Sequence, residues 1–279
     1  MKQTNTAYRQ RYWDLRAAGN FIAGGTGTGL VFTAALAFAL GQNVVLPLLA
    51  GLALVGLGLS LVWLEIGKPW RAFNVFFHPQ TSWMTREGML ATPLFAAGLA
   101  AALGFAPGFA IAAVLAAGFL YCQARMLRAS RAIPAWSHPR IVPLILLTGL
   151  AEGSGAMLVL GEATRFVIAL TLGAAITREL VRKAYRRGLI AVAAPEGTLD
   201  WFRRPETRAL QALRIAAIVL LCIGLTGNSV SATIGGALAT LTGWAFKAIL
   251  VTRAAYTRGL RIPRTPTRGR NIARAVEPM

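Results

Sequence analysis

The chain has 279 residues, 56% of them hydrophobic and only 14% charged, with a formal net charge of +19. Its mean hydropathy is +0.56. This composition excludes an ordinary soluble domain and points to an all-α integral membrane protein, because several apolar runs reach the roughly 20 residues that a helix needs to cross a bilayer.

In chain order, a basic N-terminal arm over residues 1–18 precedes a first apolar run at 19–41. That run is long and lacks a small-residue cleavage site, so it reads as a retained span rather than a signal peptide. Further spans are predicted at 45–66, 87–105, 108–126, 141–161, 164–184, 209–227 and 230–251, followed by a basic tail over 253–279. The result is a single membrane domain of eight transmembrane helices. Connectors near Gly41–Asn43, Gly104–Pro107, Gly161–Arg165 and Thr226–Asn228 are short and almost uncharged. The others are long. Counted with the span ends that flank them, the long connectors and the two termini hold every lysine and arginine except Arg165. An even number of spans puts both termini on the basic side, and the positive-inside rule makes that side cytoplasmic. Topology and contact with anionic lipid therefore account for the charge, and no nucleic-acid motif accompanies it.

Cys122 and Cys222 each stand alone in an apolar run, which predicts small buried hydrophobes and no cysteine-ligated cluster. His78 and His138, the two histidines, lie in connectors. A membrane b-type haem normally takes its axial ligands from within spans, so none is expected, nor any other metal site. The glycines of GGTGTG at 24–29 read as close helix packing; no strand precedes them, which excludes a phosphate loop.

Chemistry concentrates in WLEIGKPWRAFNVFFHPQTSWMTREG, residues 63–88. Glu65 closes the second span, where both the bilayer boundary and the helix dipole disfavour a carboxylate; an ion pair with Lys68 or Arg71 is the plainer alternative. Arg71, among Trp70, Phe73, Phe76 and Phe77, suits a short interfacial helix forming the lip of a pocket. Ser82 and Thr85 are placed to cap the third span, and Glu87 falls in its first turn, where the helix N-terminus favours an acid. Glu65, Arg71, His78, Arg86 and Glu87 together put proton-exchanging groups beside one membrane face, as quinone reduction or quinol oxidation requires. Residues 121–139 add Arg125, Arg128 and Trp136 on the same side, with Pro134 and Pro139 predicting a rigid turn. Glu152 lies well inside the fifth span. It is read either as a functional group on a proton path or as a neutral acid bonded to a neighbouring helix.

The segments LEIGKPWRAFNVFFHPQTSWMTREG and QARMLRASRAIPAW resemble the DMSO reductase anchor-subunit (DmsC-type) family, which is related to the NrfD-like membrane anchors. The tryptophan after Pro69 and the later IPAW look closest to the anchors of phenylacetyl-CoA:acceptor oxidoreductases. The resemblance implies a haem-free, quinone-reactive anchor (for ubiquinone or menaquinone) in a bacterial inner membrane. It also implies a four-cluster ferredoxin-like iron–sulfur subunit docked to a molybdopterin catalytic subunit. It directs the quinone site to Glu65, Arg71 and Glu87, with Glu65 standing where the family often has histidine. Two other readings remain open: a small secondary transporter built on Glu152, and an assembly protein without redox function.

Overall fold

The computed structural model describes residues 7–65 and 76–259, with the Glu65 side chain excluded. Arg71 and the Glu65 side chain, two of the expected quinone-site groups, therefore lie outside the described residues, as do Trp70, Phe73 and most of the basic tail. The described chain is all-helical, with no strands; an isolated bridge pairs Arg9 with Tyr256. Eight long helices carry the fold: α1 Leu15–Ala39, α2 Val45–Glu65, α3 Trp83–Ala102, α4 Pro107–Ala129, α6 Ile141–Val159, α7 Arg165–Ala191, α9 Pro205–Leu225 and α10 Ser229–Thr252. Two short ones, α5 Pro134–Ser137 and α8 Glu196–Trp201, sit in the longer connectors. Six of the long helices, namely α1, α2, α4, α6, α9 and α10, are long and apolar enough to cross a membrane. α3 and α7 are less apolar because of Arg86 and Glu87 in the one and a run of arginines in the other.

The long helices are paired as hairpins, α1 on α2, α3 on α4, α6 on α7 and α9 on α10. Each hairpin turns on a glycine at positive φ two residues past the helix end: Gly41, Gly104, Gly161 and Gly227. Only glycine takes that left-handed conformation without steric cost, so a single residue type stops four apolar runs. Asp14, Ser82, Thr164 and Asn228 cap the helices that follow them by accepting a bond from a backbone N–H. The four short turns gather at one end of the bundle, where Gln42 donates to the Thr164 hydroxyl at 3.2 Å and Thr233 to the Leu158 carbonyl at 3.4 Å. At the other end the N-terminal segment lies against the chain after α10: Gln10 N–H donates to the Ala255 carbonyl and Thr257 N–H to the Tyr8 carbonyl, each at 2.9 Å.

α1 is the central helix and packs on α2, α4, α6 and α10. The stretch GGTGTG is wholly buried there. A Cβ at Gly29 or Gly153 would run into the backbone of the other helix, so α1 and α6 cross with almost nothing between them. The outward surface is the reverse: Leu57, Leu64, Val114, Val219, Val230 and Leu241 are all exposed. Close crossings at small residues inside, with aliphatic side chains turned outward, suit a lipid solvent. Cys222 belongs to that outer surface, contrary to the expected burial, whereas Cys122 is buried.

Candidate functional site

Three carboxylates are buried among the described residues, Glu87, Glu152 and Glu179, and the first two mark separate parts of the interior. The first is Glu87. Helix α3 begins at Trp83, four residues ahead of the predicted span start, because Ser82 caps it by accepting from the Thr85 N–H at 3.2 Å. That start moves Glu87 out of the first turn into the second, so a dipole contact at the helix start does not describe it. Its residue is only 3% exposed. Oε1 accepts a 2.9 Å bond from the Gln123 amide on α4, and the same amide donates to the Asn20 carbonyl on α1 at 3.2 Å. The Asn20 side chain also reaches the carboxyl, while its own Oδ1 has no hydrogen-bond partner among the described residues. Glu87 and Asn20 open onto a cleft of about 340 Å³ walled by Leu59, Val62 and Trp63 of α2, by Met84, Ala91 and Phe95 of α3, and by Phe76. An apolar cleft of this size with a few convergent polar groups is the usual form of a small-ligand site.

The second carboxylate is Glu152, fully buried on α6. Its Oε2 accepts from Lys247 Nζ of α10 at 2.6 Å and from the Thr26 hydroxyl of α1 at 3.0 Å. Trp244 Nε1 donates to that hydroxyl at 2.8 Å, and Thr240 donates to the Glu152 carbonyl at 3.0 Å. The acid is thus neither alone nor simply bonded to a neutral neighbour. It forms an ion pair in the middle of the packing. Further charge lies on α7 and α9, where Glu179 pairs with Arg182 and lies 3.2 Å from Arg214 Nε, all of them buried. Arg178, buried beside them, donates to the Ala239 carbonyl at 3.0 Å and to the Thr242 hydroxyl at 3.3 Å.

No protein family and no curated protein matches this chain.

The remaining expected site groups are dispersed. His78 is exposed, and its backbone carbonyl accepts from the N–H groups of Thr81 and Ser82. Arg86 folds back on its own connector, donating to the carbonyls of Pro79 at 2.7 Å and Gln80 at 2.9 Å, with its guanidinium 4.1 Å from the Trp83 ring. Neither lines the cleft. Arg125 covers the other part of that tryptophan at 4.4 Å and donates to the Tyr121 hydroxyl, while Arg128 is exposed. Trp136 is buried: it stacks on Trp13 at 4.8 Å and donates to the Leu250 carbonyl. Pro134 starts the single helical turn α5 rather than an open turn, since a proline at N1 has no intrahelical bond to lose.

Asn20 and Gln123 escaped the sequence reading. The available signal was a lone amide within an apolar run, AAGNF and YCQAR, which a membrane interior tolerates only with a partner. Lys247, Arg178, Arg182 and Arg214 were assigned to the basic side by proximity to long connectors; the structure buries all four side chains among helices. Among the described residues, no three His, Cys, Asp or Glu groups are placed to hold a metal ion.

Proposed function

We propose that the chain is an eight-span, quinone-reactive membrane anchor of a multisubunit molybdopterin–iron–sulfur oxidoreductase. In this reading α3 and α7 cross the bilayer with the six more apolar helices, each as half of a hairpin. Both termini lie on the cytoplasmic side of a bacterial inner membrane. The pairing of residues 8–10 with 255–257 supports a shared side for the two ends, and the basic excess supports the cytoplasmic assignment. A ferredoxin-like subunit docked on that face exchanges electrons with the quinone, and the molybdopterin subunit lies beyond it.

The observation that carries the reading is the Glu87 carboxyl, buried at the wall of an apolar cleft with neutral amide partners. A quinone ring needs apolar walls, a hydrogen-bond partner for each carbonyl oxygen, and a group that passes protons during each two-electron step. The cleft supplies the walls, Glu87 the proton-exchanging group, and Asn20 a further polar contact. Glu65 and Arg71 of the preceding connector complete the site in the resemblance from which it was expected.

The test is Glu87→Gln in the intact complex. Loss of a general acid–base group lowers turnover by about 10²-fold or more. Quinone-linked turnover should fall by that order while the subunits still co-purify and the partner's metal content is unchanged. Normal turnover in the assembled variant refutes the site, and an active preparation of this chain without metal-containing partners refutes the anchor.

A further inference from the structure

Independently of that reading, the charge inside the α6, α7, α9 and α10 packing does not balance. Arg178, Arg182, Arg214 and Lys247 are each at most 5% exposed, against only two comparably buried acids in the cluster among the described residues, Glu152 and Glu179. Arginine stays protonated in proteins. Whether the Glu152–Lys247 pair is ionic or shares its proton as two neutral groups, two positive charges remain uncompensated. An unpaired charge in a membrane interior is costly, and such groups persist where a counter-ion or a polar cavity meets them.

A small void lies at this point. It is bordered by Arg178, Arg182 and Arg214, by Thr148 of α6, and by Thr242 and Gly243 of α10. Arg178 Nε and Arg214 Nη2, both buried, have no hydrogen-bond partner among the described residues. Thr148 uses its proton on the Leu144 carbonyl and Thr242 on the carbonyls of its own helix, so the free donors at the void belong to the guanidiniums. The void measures about 10 Å³, and the next one outward, sharing Arg182, Arg214 and Phe246, about 20 Å³. These volumes are the space open to the centre of a water molecule, so each void has room for one small occupant, a water molecule or a monatomic ion. A tetrahedral oxyanion or a lipid headgroup needs several times that space.

We propose that this void is a binding site for one monatomic anion, chloride under cellular conditions, held by Arg178 and Arg214 and neutralising the buried cationic excess. The occupant touches guanidinium N–H groups rather than Lys247, whose ammonium is already taken by Glu152. Access runs through the neighbouring void, between α9 and the end of the connector that precedes it, at Trp201 and Phe202.

Equilibrium dialysis of the intact, detergent-solubilised protein against radioactive chloride, with gluconate holding ionic strength constant, tests this directly. The expected result is saturable binding of one ion per chain, displaced by bromide and not by inorganic phosphate. Absence of saturable binding, or displacement by phosphate at equal concentration, overturns the proposal. In Arg214→Gln, affinity should weaken about tenfold or more, the equivalent of one charge-assisted hydrogen bond. Unchanged chloride affinity in a folded Arg214→Gln protein also overturns it. The measurements on the unsubstituted protein decide the matter even where that variant does not fold.

Discussion

Glu87 and Glu152 are both buried carboxylates beside the glycine-rich helix α1, yet their surroundings are opposite. Glu87 has amide partners and borders an open apolar cleft. Glu152 has an ammonium partner and borders packed helices, close enough to α10 that a side chain at Gly243 would strike it. A carboxyl held by neutral donors can gain or lose a proton to an arriving ligand without stranding a buried cation. One locked to a lysine cannot, because its protonation leaves the ammonium uncompensated. The difference sets a carboxyl open to a cleft in the α1–α4 half against one locked in an ion pair in the α6–α10 half.

The strongest way to break this comparison is at the ion pair. Glu152→Gln leaves Lys247 unpaired in the interior and should cost about 3–5 kcal/mol of stability, whereas the double variant Glu152→Gln with Lys247→Met should regain most of that loss. Thermal unfolding in detergent measures both; a double variant no more stable than the single would show that the pairing is not what Glu152 contributes. Next comes the crossing that brings the two halves together. Gly29→Val forces α1 off α6 and should cost about 3 kcal/mol or prevent folding. Gly41→Ala has open space around it and incurs only the left-handed backbone penalty, about 1 kcal/mol. Equal losses at the two positions would mean that close approach is not the constraint.

Glu87→Gln sharpens the contrast from the other side. An amide preserves a polar contact to Gln123 and strands no charge, so stability should change by about 1 kcal/mol or less even where quinone turnover collapses. A stability loss matching that of Glu152→Gln would erase the distinction between the two acids. The smallest effect lies outside the helices. Partial burial and the nearby Arg140 guanidinium hold the His138 imidazole below its ordinary value of 6.5. The folded protein therefore favours neutral His138: this contribution is complete above about pH 6.5 and fades as pH falls toward the depressed folded value. Unfolding midpoints compared at pH 7.5 and pH 5.5 should show a small acid loss that His138→Gln reduces. An unreduced loss would assign it to other groups.

Much of this was legible along the chain because bilayer crossing is a local demand. Runs of about 20 apolar residues closed by Leu-Gly or Thr-Gly announce the hairpins without any partner being known. Glu152 was legible as an acid where acids are expensive, and Glu87 as one of several proton-exchanging groups gathered in residues 63–88. Their partners were not. Gln123 is 36 positions from Glu87 and Lys247 is 95 from Glu152, and no periodicity links residues on different helices. Sorting basic residues by their nearest connector assigned Lys247, Arg178, Arg182 and Arg214 to the basic side without showing that they are buried, since a count along the chain carries no information on which way a helix is turned. The Ser82 cap read from the sequence is present, and it starts helix α3 at Trp83, ahead of the limit at 87 that hydropathy set.

The sequence by itself determined an all-helical chain, the order of its apolar helices, the glycine turns between them and the one-sided basic excess, because each depends on the solvent that a segment meets. Only the tertiary structure decided which buried acid faces a cleft and which is locked to a cation. That depends on helix rotation and on glycine-permitted crossings, and those are set when separate helices pack together.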